Sequence, residues 1–380
     1  YIDPDSKPAL AQAMNVRTYG TVFVEMAGNR EEAGSTDEED VTNAIIRVIK
    51  GKEKTACFLT GHGEAEGDDS ERQGFSSAKG QIEDANYQTK TVSLVENPQV
   101  PDDCTLLLVG GPDKEYVEPE IDVLKSYVEN GGRTLFLLDH DKSPRLVELL
   151  GSWGVRVNSD VVIDLSGVGQ FFGMGPLAPM VADYESHPVS EAMGNVASFF
   201  PLVRSVESSD VPDGWTVDKL FSTTAGSFAS EDFSPEEGEV RRNPEKEREG
   251  PISLAVAATY DVPDDENDEE EIGGDETDSE NSEDAAQADD EEKQGRIVVV
   301  GTSLFVHNNY LGRGGNVDLF LNMLNWLSSD EDLISIRPRD PDNTPLNLTG
   351  SDMRRLFFGT VVGIPLVIII AGIRVWWKRR

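Results

Sequence analysis

Two short stretches concentrate the residue types that do acid–base and metal chemistry. Gly61-His62-Gly63-Glu64 sets an imidazole two residues from a carboxylate, and Asp139-His140-Asp141 sets another between two carboxylates. Imidazole titrates near neutral pH and is a common metal ligand, while carboxylates supply a base or a hard oxygen donor. Together His62, Glu64, Asp139, His140 and Asp141 could serve a metal-dependent hydrolase, with Gly110-Gly111-Pro112 beside them. Neither stretch has the His-Glu-x-x-His spacing that aligns two ligands on one helical face. Polar residues at strand ends also act as caps and turns. The expectation is therefore a ligand or partner crevice of His62, Glu64, Gly110, Gly111, Asp139, His140 and Asp141, with no catalytic residue, metal or cofactor assigned.

Other motifs are incomplete. Gly301-Thr302-Ser303-Leu304-Phe305 resembles a nucleophile elbow, but Phe305 stands where the turn needs a second glycine, and His307 lies only four residues from Ser303. Ser303 is read as structural. No Gly-x-x-x-x-Gly-Lys-Ser/Thr occurs, so the chain carries no P-loop of its own. Gly167–Gly173 has the wrong glycine spacing for a dinucleotide fingerprint and reads as a loop with Phe171 and Phe172 at an apolar tip. Cys57 and Cys104 both fall in apolar runs, so buried thiols are expected, with a disulfide conceivable if the two strands are neighbours.

The elements that would position these residues alternate between strands and helices. Lys54–Thr60, Thr89–Val95, Cys104–Val109 and Arg133–Leu138 read as strands, and CTLLLV suits a strand buried on both faces. Between them, Gln73–Ala85 reads as a weak helix. Val117, Ile121, Leu124 and Val128 mark a stronger one that ends at Asn130-Gly131-Gly132. Ser143-Pro144 is expected to cap a helix bearing Leu146, Leu149, Leu150 and Trp153. This predicts a parallel, doubly wound α/β sheet with both candidate stretches at its carboxyl edge, where crevices form. Further strands are expected at Val155–Asp164, Pro201–Val206, Leu220–Thr224, Ile252–Tyr260 and Arg296–Gly301, then a helix at Asn316–Ser328.

Composition bounds the partners. The 380 residues carry 71 Asp+Glu against 33 Lys+Arg, a net charge of −38, which argues against nucleic acid. Residues 264–292 hold 17 acidic side chains and no basic one, so 262–293 is expected to be a disordered acidic loop. Two cysteines exclude a disulfide scaffold or a four-cysteine zinc site. Leu356–Ile373 is 18 residues without a charge. As a helix that stretch spans about 27 Å, close to the hydrocarbon core of a bilayer. Pro365 is tolerable there, and Trp376, Trp377, Lys378, Arg379 and Arg380 form an aromatic and cationic end. The expectation is a membrane helix at 354–377, a cytoplasmic tail at 378–380 and the acidic bulk on the extracytoplasmic side, with Leu356, Pro365, Ile373, Trp376, Trp377 and Arg379 in the anchor. Residues 330–353 read as a linker. The chain opens on Tyr1, so no signal peptide can be read or denied. The acidic excess is also consistent with a surface adapted to salt.

Residues 1–50, with an expected helix around Pro8–Met14, resemble the end of a thioredoxin-like domain, through Val16–Glu25 with Gly20 where that family places a proline; no Cys-x-x-Cys is present. On a larger scale the chain resembles the GldG-type auxiliary components of ABC transport systems, associated with gliding motility. The resemblance runs through Ile2-Asp3-Pro4-Asp5, Thr42–Arg47, Leu59–Glu64, Gly301-Thr302-Ser303, Gly315–Asn322, Asn325-Trp326-Leu327, Ile334–Arg339 and the terminal apolar stretch. It implies a glutamine-amidotransferase-like, Rossmann-like sheet domain over 51–329, distantly similar to an intraflagellar-transport protein, with a further membrane helix upstream of Tyr1. It also implies a non-enzymatic extracytoplasmic subunit in a bacterial inner membrane that works with a permease and a separate ATPase. A homodimer stays open.

Overall fold

The computed structural model describes residues 54–167, 173–194, 196–232, 247–263 and 294–328, together with Gly169, Arg374 and scattered positions before residue 54. Near the N-terminus Val22–Met26 (β1) and Asn29–Ala33 (β2) pair as an antiparallel hairpin. Next come Lys54–Thr60 (β3), Ser76–Asp84 (α1), Tyr87–Ser93 (β4), Leu106–Gly110 (β5), Glu118–Glu129 (α2), Arg133–Leu137 (β6) and Pro144–Ser152 (α3). A run of short strands then includes Val155–Val157 (β7), Val161–Asp164 (β8), Met180–Val181 (β9) and Asp183–Tyr184 (β10). After the single-turn helix Pro188–Glu191 (α4) come Ser198–Phe199 (β11), Val206–Ser208 (β12), Trp215–Ser222 (β13), Ser227–Ser230 (β14) and Glu247–Glu249 (β15). Ser253–Asp261 (β16), Gln294–Val300 (β17) and Asn316–Leu327 (α5) complete the described elements.

Eight strands form one sheet in the order β10-β13-β16-β17-β6-β5-β3-β4. From β17 to β4 neighbouring strands are parallel, and the sequence order reverses between β3 and β5, which is the switch point of a doubly wound sheet. The other half, whose strand order the sequence left open, is antiparallel. β16 pairs antiparallel with β17, β13 with β16, and β10 with β13. An antiparallel neighbour needs no crossover helix whatever the length of its connection, which explains why strands outnumber helices after residue 155.

Side-chain alternation accounts for the uninterrupted apolar runs. Leu106 and Leu108 face one layer with Leu135, Leu137, Val298 and Val300, covered by α1 and α5. Leu107 and Val109 face the other with Phe136, Ile297 and Val299, covered by Leu124 and Val128 of α2 and Leu146 and Leu150 of α3. A strand buried on both sides cannot alternate apolar with polar.

Several expectations are corrected. Cys57 and Cys104 are not thiols: adjacent strands bring their Cα atoms to 5.7 Å and they form a disulfide. Val155–Asp164 is broken into β7 and β8, and the expected strand Pro201–Val206 begins only at Val206. Ser143 does not cap α3; it sits at φ +50° and its hydroxyl donates to the Pro112 carbonyl at 3.1 Å.

β16 and β17 are in register up to Asp261 opposite Gln294, so residues 262–293 join two neighbouring strands at the amino edge of the parallel half. The start of β3 and the end of α5 meet at that edge too, where Lys54 Nζ donates to the Ser328 carbonyl at 2.8 Å. The chain divides into two units, 1–336 and 337–380. No helix among the described residues is long and apolar enough to cross a membrane. Leu356, Pro365, Ile373, Trp376, Trp377 and Arg379 lie outside the described residues, as do the expected helix Pro8–Met14, the loop tip Phe171-Phe172 and residues 264–293.

Candidate functional site

The switch point between β3 and β5 opens at the carboxyl edge onto Gly61–Glu64 and Gly110–Pro112. The turn after β3 is fixed through its backbone: the His62 carbonyl accepts from the N–H groups of Asp113 and Lys114 at 2.9 and 2.8 Å, and Gly110 O accepts from Ala65 N–H at 2.8 Å. The buried His62 ring stacks on Tyr116, with centroids 4.1 Å apart. Its Nε2 lies 3.1 Å from Glu120 Oε2. The same Glu120 carboxylate accepts the Val117 N–H at 2.9 Å and so caps the first turn of α2. Glu64 accepts the His62 main-chain N–H at 2.7 Å and the Tyr116 hydroxyl. Burial, and the Glu64 charge beside it, push the Tyr116 pKa far above its ordinary value, so the phenol stays a donor.

Asp139 belongs to a different group. Its Oδ1 accepts the Ser303 N–H at 2.6 Å, and its Oδ2 accepts the Ser303 hydroxyl at 2.8 Å. Gly111, at φ +66°, is pressed against this pair: a Cβ there would stand 2.5 Å from Ser303 Oγ and 2.8 Å from Asp139 Oδ2, so only glycine fits. His140 turns elsewhere, with Nδ1 3.1 Å from the Asp160 carbonyl and Nε2 3.2 Å from the exposed Asp141. The candidate residues thus separate into three groups: His62 with Glu64, Asp139 with Gly111, and His140 with Asp141. Among the described residues no three His, Cys, Asp or Glu side chains are arranged to hold a metal ion.

Ser303, Asp139 and His307 bring together the side chains of a serine hydrolase, but their connections differ. Ser303 Oγ is 3.1 Å from His307 Nε2, yet the carboxylate bonds the serine itself rather than the far imidazole nitrogen, and His307 Nδ1 is buried without a hydrogen-bond partner. In a working triad the acid orients the histidine through that nitrogen. Here Asp139 instead ties the end of β6 to the turn after β17. Burial lowers the His307 pKa, against the opposing pull of Asp139 and Asp69. A depressed imidazole contributes stability that is complete above its ordinary pKa of about 6.5 and is lost as pH falls from there through the lower folded value. The thermal midpoint is therefore expected to drop between pH 7 and 5, and the drop to flatten in His307→Gln; equal profiles would show that another group carries the pH dependence.

Three residues outside the expected site complete its support. Arg204 is buried, with Nε donating to Asn158 O at 2.6 Å and Nη1 to Asp139 O at 3.1 Å. Burial lowers its pKa, while Asp160, Asp141 and Asp139 oppose the shift. Asp160 accepts the Ser205 N–H and hydroxyl, both at 2.8 Å, and pairs with Arg248 at 2.6 Å. Nothing in the local sequence marks Arg204, Asp160 or Arg248, because their partners come from distant turns. Glu120 and Tyr116 were legible only as parts of a helix and its entry.

Residues 53–329, the whole of this sheet domain, match the family described as "ABC-type uncharacterized transport system". The chain belongs to this family of auxiliary ABC transport proteins. No curated protein matches it. Solved structures similar to this ABC transport auxiliary protein include the mmIFT52 N-terminal domain, at 16% identity and TM-score 0.47, covering 72% of this chain and 97% of that one. A putative ThuA-like protein from Bacteroides uniformis follows at 13% identity and TM-score 0.39, covering 72% and 91%. A putative GMP synthase component from Thermoplasma acidophilum gives 9% identity and TM-score 0.32, covering 74% and 98%. All three lie below a TM-score of 0.5, and the mixed α/β architecture rests on the strand order itself.

Proposed function

We propose that this ABC transport auxiliary protein is a non-catalytic, membrane-anchored subunit in a bacterial inner membrane, with its sheet domain on the extracytoplasmic side. There the domain binds a partner or substrate, and the anchor docks on the permease, which works with a separate ATPase. The observation that carries this reading is the Cys57–Cys104 disulfide inside the sheet, since such bonds persist in oxidising compartments. The apolar stretch Leu356–Ile373 with its Trp-Trp-Lys-Arg-Arg ending supports the anchor. The non-catalytic role is supported by how the carboxyl-edge side chains are engaged. Asp139 holds Ser303, and Glu64 holds Tyr116.

The test is purification of the full chain from membranes in mild detergent, with identification of the chains that accompany it. A permease and an ATPase in fixed ratio are expected. His62→Ala and Asp139→Asn are expected to reduce folded protein and assembly together. Variants that assemble normally while transport stops would point to chemistry at this edge instead, and purified protein that carries stoichiometric metal and no partner chains would overturn the subunit reading.

A further inference from the structure

A second concavity lies beside the carboxyl edge, outside the groups just described. It is a groove of about 610 Å³ lined by Ser70, Arg72, Met174, Asn309, Tyr310 and Arg313, among others. Two of its walls are loops fastened at Asn308, and Gly173 with Met174 supply the third. The Asn308 amide donates to the carbonyls of Asp69 and Glu71 at 3.0 and 2.6 Å, and its Oδ1 accepts the Ser77 N–H at 2.8 Å. Asn308 N–H reaches Gly74 O at 3.0 Å, and Asn309 N–H reaches Arg72 O at 3.3 Å. Gly74 permits this closeness, since a Cβ there would stand 2.0 Å from Asp69 O. The two walls that carry Arg72 and Arg313 are thus held to each other before any ligand arrives, which lowers the cost of ordering on binding.

The charge in this groove runs against the rest of the molecule. With 71 acidic residues to 33 basic ones, an arginine here has ample choice of carboxylate. Arg145, Arg156 and Arg248 pair with Glu115, Asp210 and Asp160, while Arg204 and Arg296 are taken up by carbonyls. Among the described residues the guanidinium groups of Arg72 and Arg313 have no such partner, and both face the same groove. Asp69, on the same loop as Arg72, accepts the Glu71 N–H at 2.8 Å. Two free planar forks suit two carboxylates, while Asn309, Ser70 and the Tyr310 hydroxyl offer hydrogen bonds to neutral hydroxyls, and the Tyr310 ring offers a flat apolar face. A groove of this size takes a ligand of two or three rings.

We propose that this groove binds an acidic oligosaccharide, with sugar carboxylates on Arg72 and Arg313 and ring hydroxyls on Asn309 and Tyr310. The assignment goes beyond the subunit reading and does not depend on it. The experiment is calorimetric titration of the full chain in detergent with trigalacturonate, neutral maltotriose and citrate, on the natural sequence and on Arg72→Gln, Arg313→Gln and the double variant. Saturable one-to-one binding of trigalacturonate is expected, with none of maltotriose. Each single substitution is expected to weaken it by roughly tenfold and the pair by roughly a hundredfold, as for loss of a charge-assisted hydrogen bond. Both arginines are exposed, so thermal midpoints should be unchanged; Arg72→Lys and Arg313→Lys, which keep the charge, are expected to retain part of the affinity. No binding of trigalacturonate, or equal binding by the double variant, would overturn the proposal. Citrate bound as tightly as the saccharide would overturn the sugar class. Copurification with a permease is unaffected by any of these results, so the two readings fail separately.

Discussion

Reducing the Cys57–Cys104 disulfide, or replacing either cysteine with serine, is expected to lower the unfolding free energy by about 4 kcal/mol. The bond closes a loop of 47 residues. In the chain-entropy account, a closed loop of that length stabilises the native state by about 4 kcal/mol through restriction of the unfolded chain. The effect is large because the loop is long; in the folded chain it contains β4 and α1. Urea unfolding with and without reductant measures it: the midpoint should fall with little loss of native far-ultraviolet signal at zero urea. A midpoint indifferent to reductant, in protein shown by thiol titration to be oxidised beforehand, would remove the stabilising role. Two free thiols in protein taken directly from membranes would remove the argument for an oxidising compartment.

Asp139→Ala is expected to cost about 3 kcal/mol, and Asp139→Asn clearly less. The alanine leaves both the Ser303 N–H and its hydroxyl without the carboxylate that now accepts them at 2.6 and 2.8 Å. Hydrogen bonds to a charged group are worth about 1.5–3 kcal/mol each, and part of the loss is recovered where water can enter, since Asp139 is half-buried. Asparagine keeps one acceptor oxygen. The readout is again the denaturation midpoint, taken at pH 7. If Asp139→Ala were as stable as the natural sequence while transport ceased, Asp139 would be acting on a ligand, and the structural account of this group would be wrong.

The parallel half of the fold was legible because it is written in local patterns. CTLLLV had to be buried on both faces, and the spacing of Ile121, Leu124 and Val128 marked one face of a helix, although Val117, expected on that face, stands exposed just before the first turn. The antiparallel half was legible only in part: Ile252–Tyr260 marked β16 and Leu220–Thr224 the end of β13, but β10, and the separate pair β9 and β11, are two residues each and leave no period to read. The direction of β16 is set by its pairing with β17 across 32 intervening residues, which no local signal reports. The candidate site shows the same division. Its residues were found one stretch at a time, at the right edge of the sheet, but their grouping depends on partners far away in the chain. Asp139 meets Ser303 across 164 residues and Arg248 meets Asp160 across 88. The disulfide was similarly hidden: spacing could not show that Cys104 lies just ahead of the strand beside Cys57, and only the register does.

The meeting of Lys54 with Ser328 has a mechanical consequence. The polypeptide enters and leaves the sheet domain at one corner, so a pull on the chain at both junctions draws on a lever arm of almost zero length. Tension would first strip that corner, breaking the Lys54–Ser328 contact and peeling the last turn of α5, before it loaded β3, which β4 and β5 flank, in shear. Peeling breaks hydrogen bonds one after another, whereas shear must break a row at once. The carboxyl edge, with Asp139 and the arginine groove, lies at the far ends of the same strands. It would therefore keep its shape under a load that had already begun to open the opposite corner.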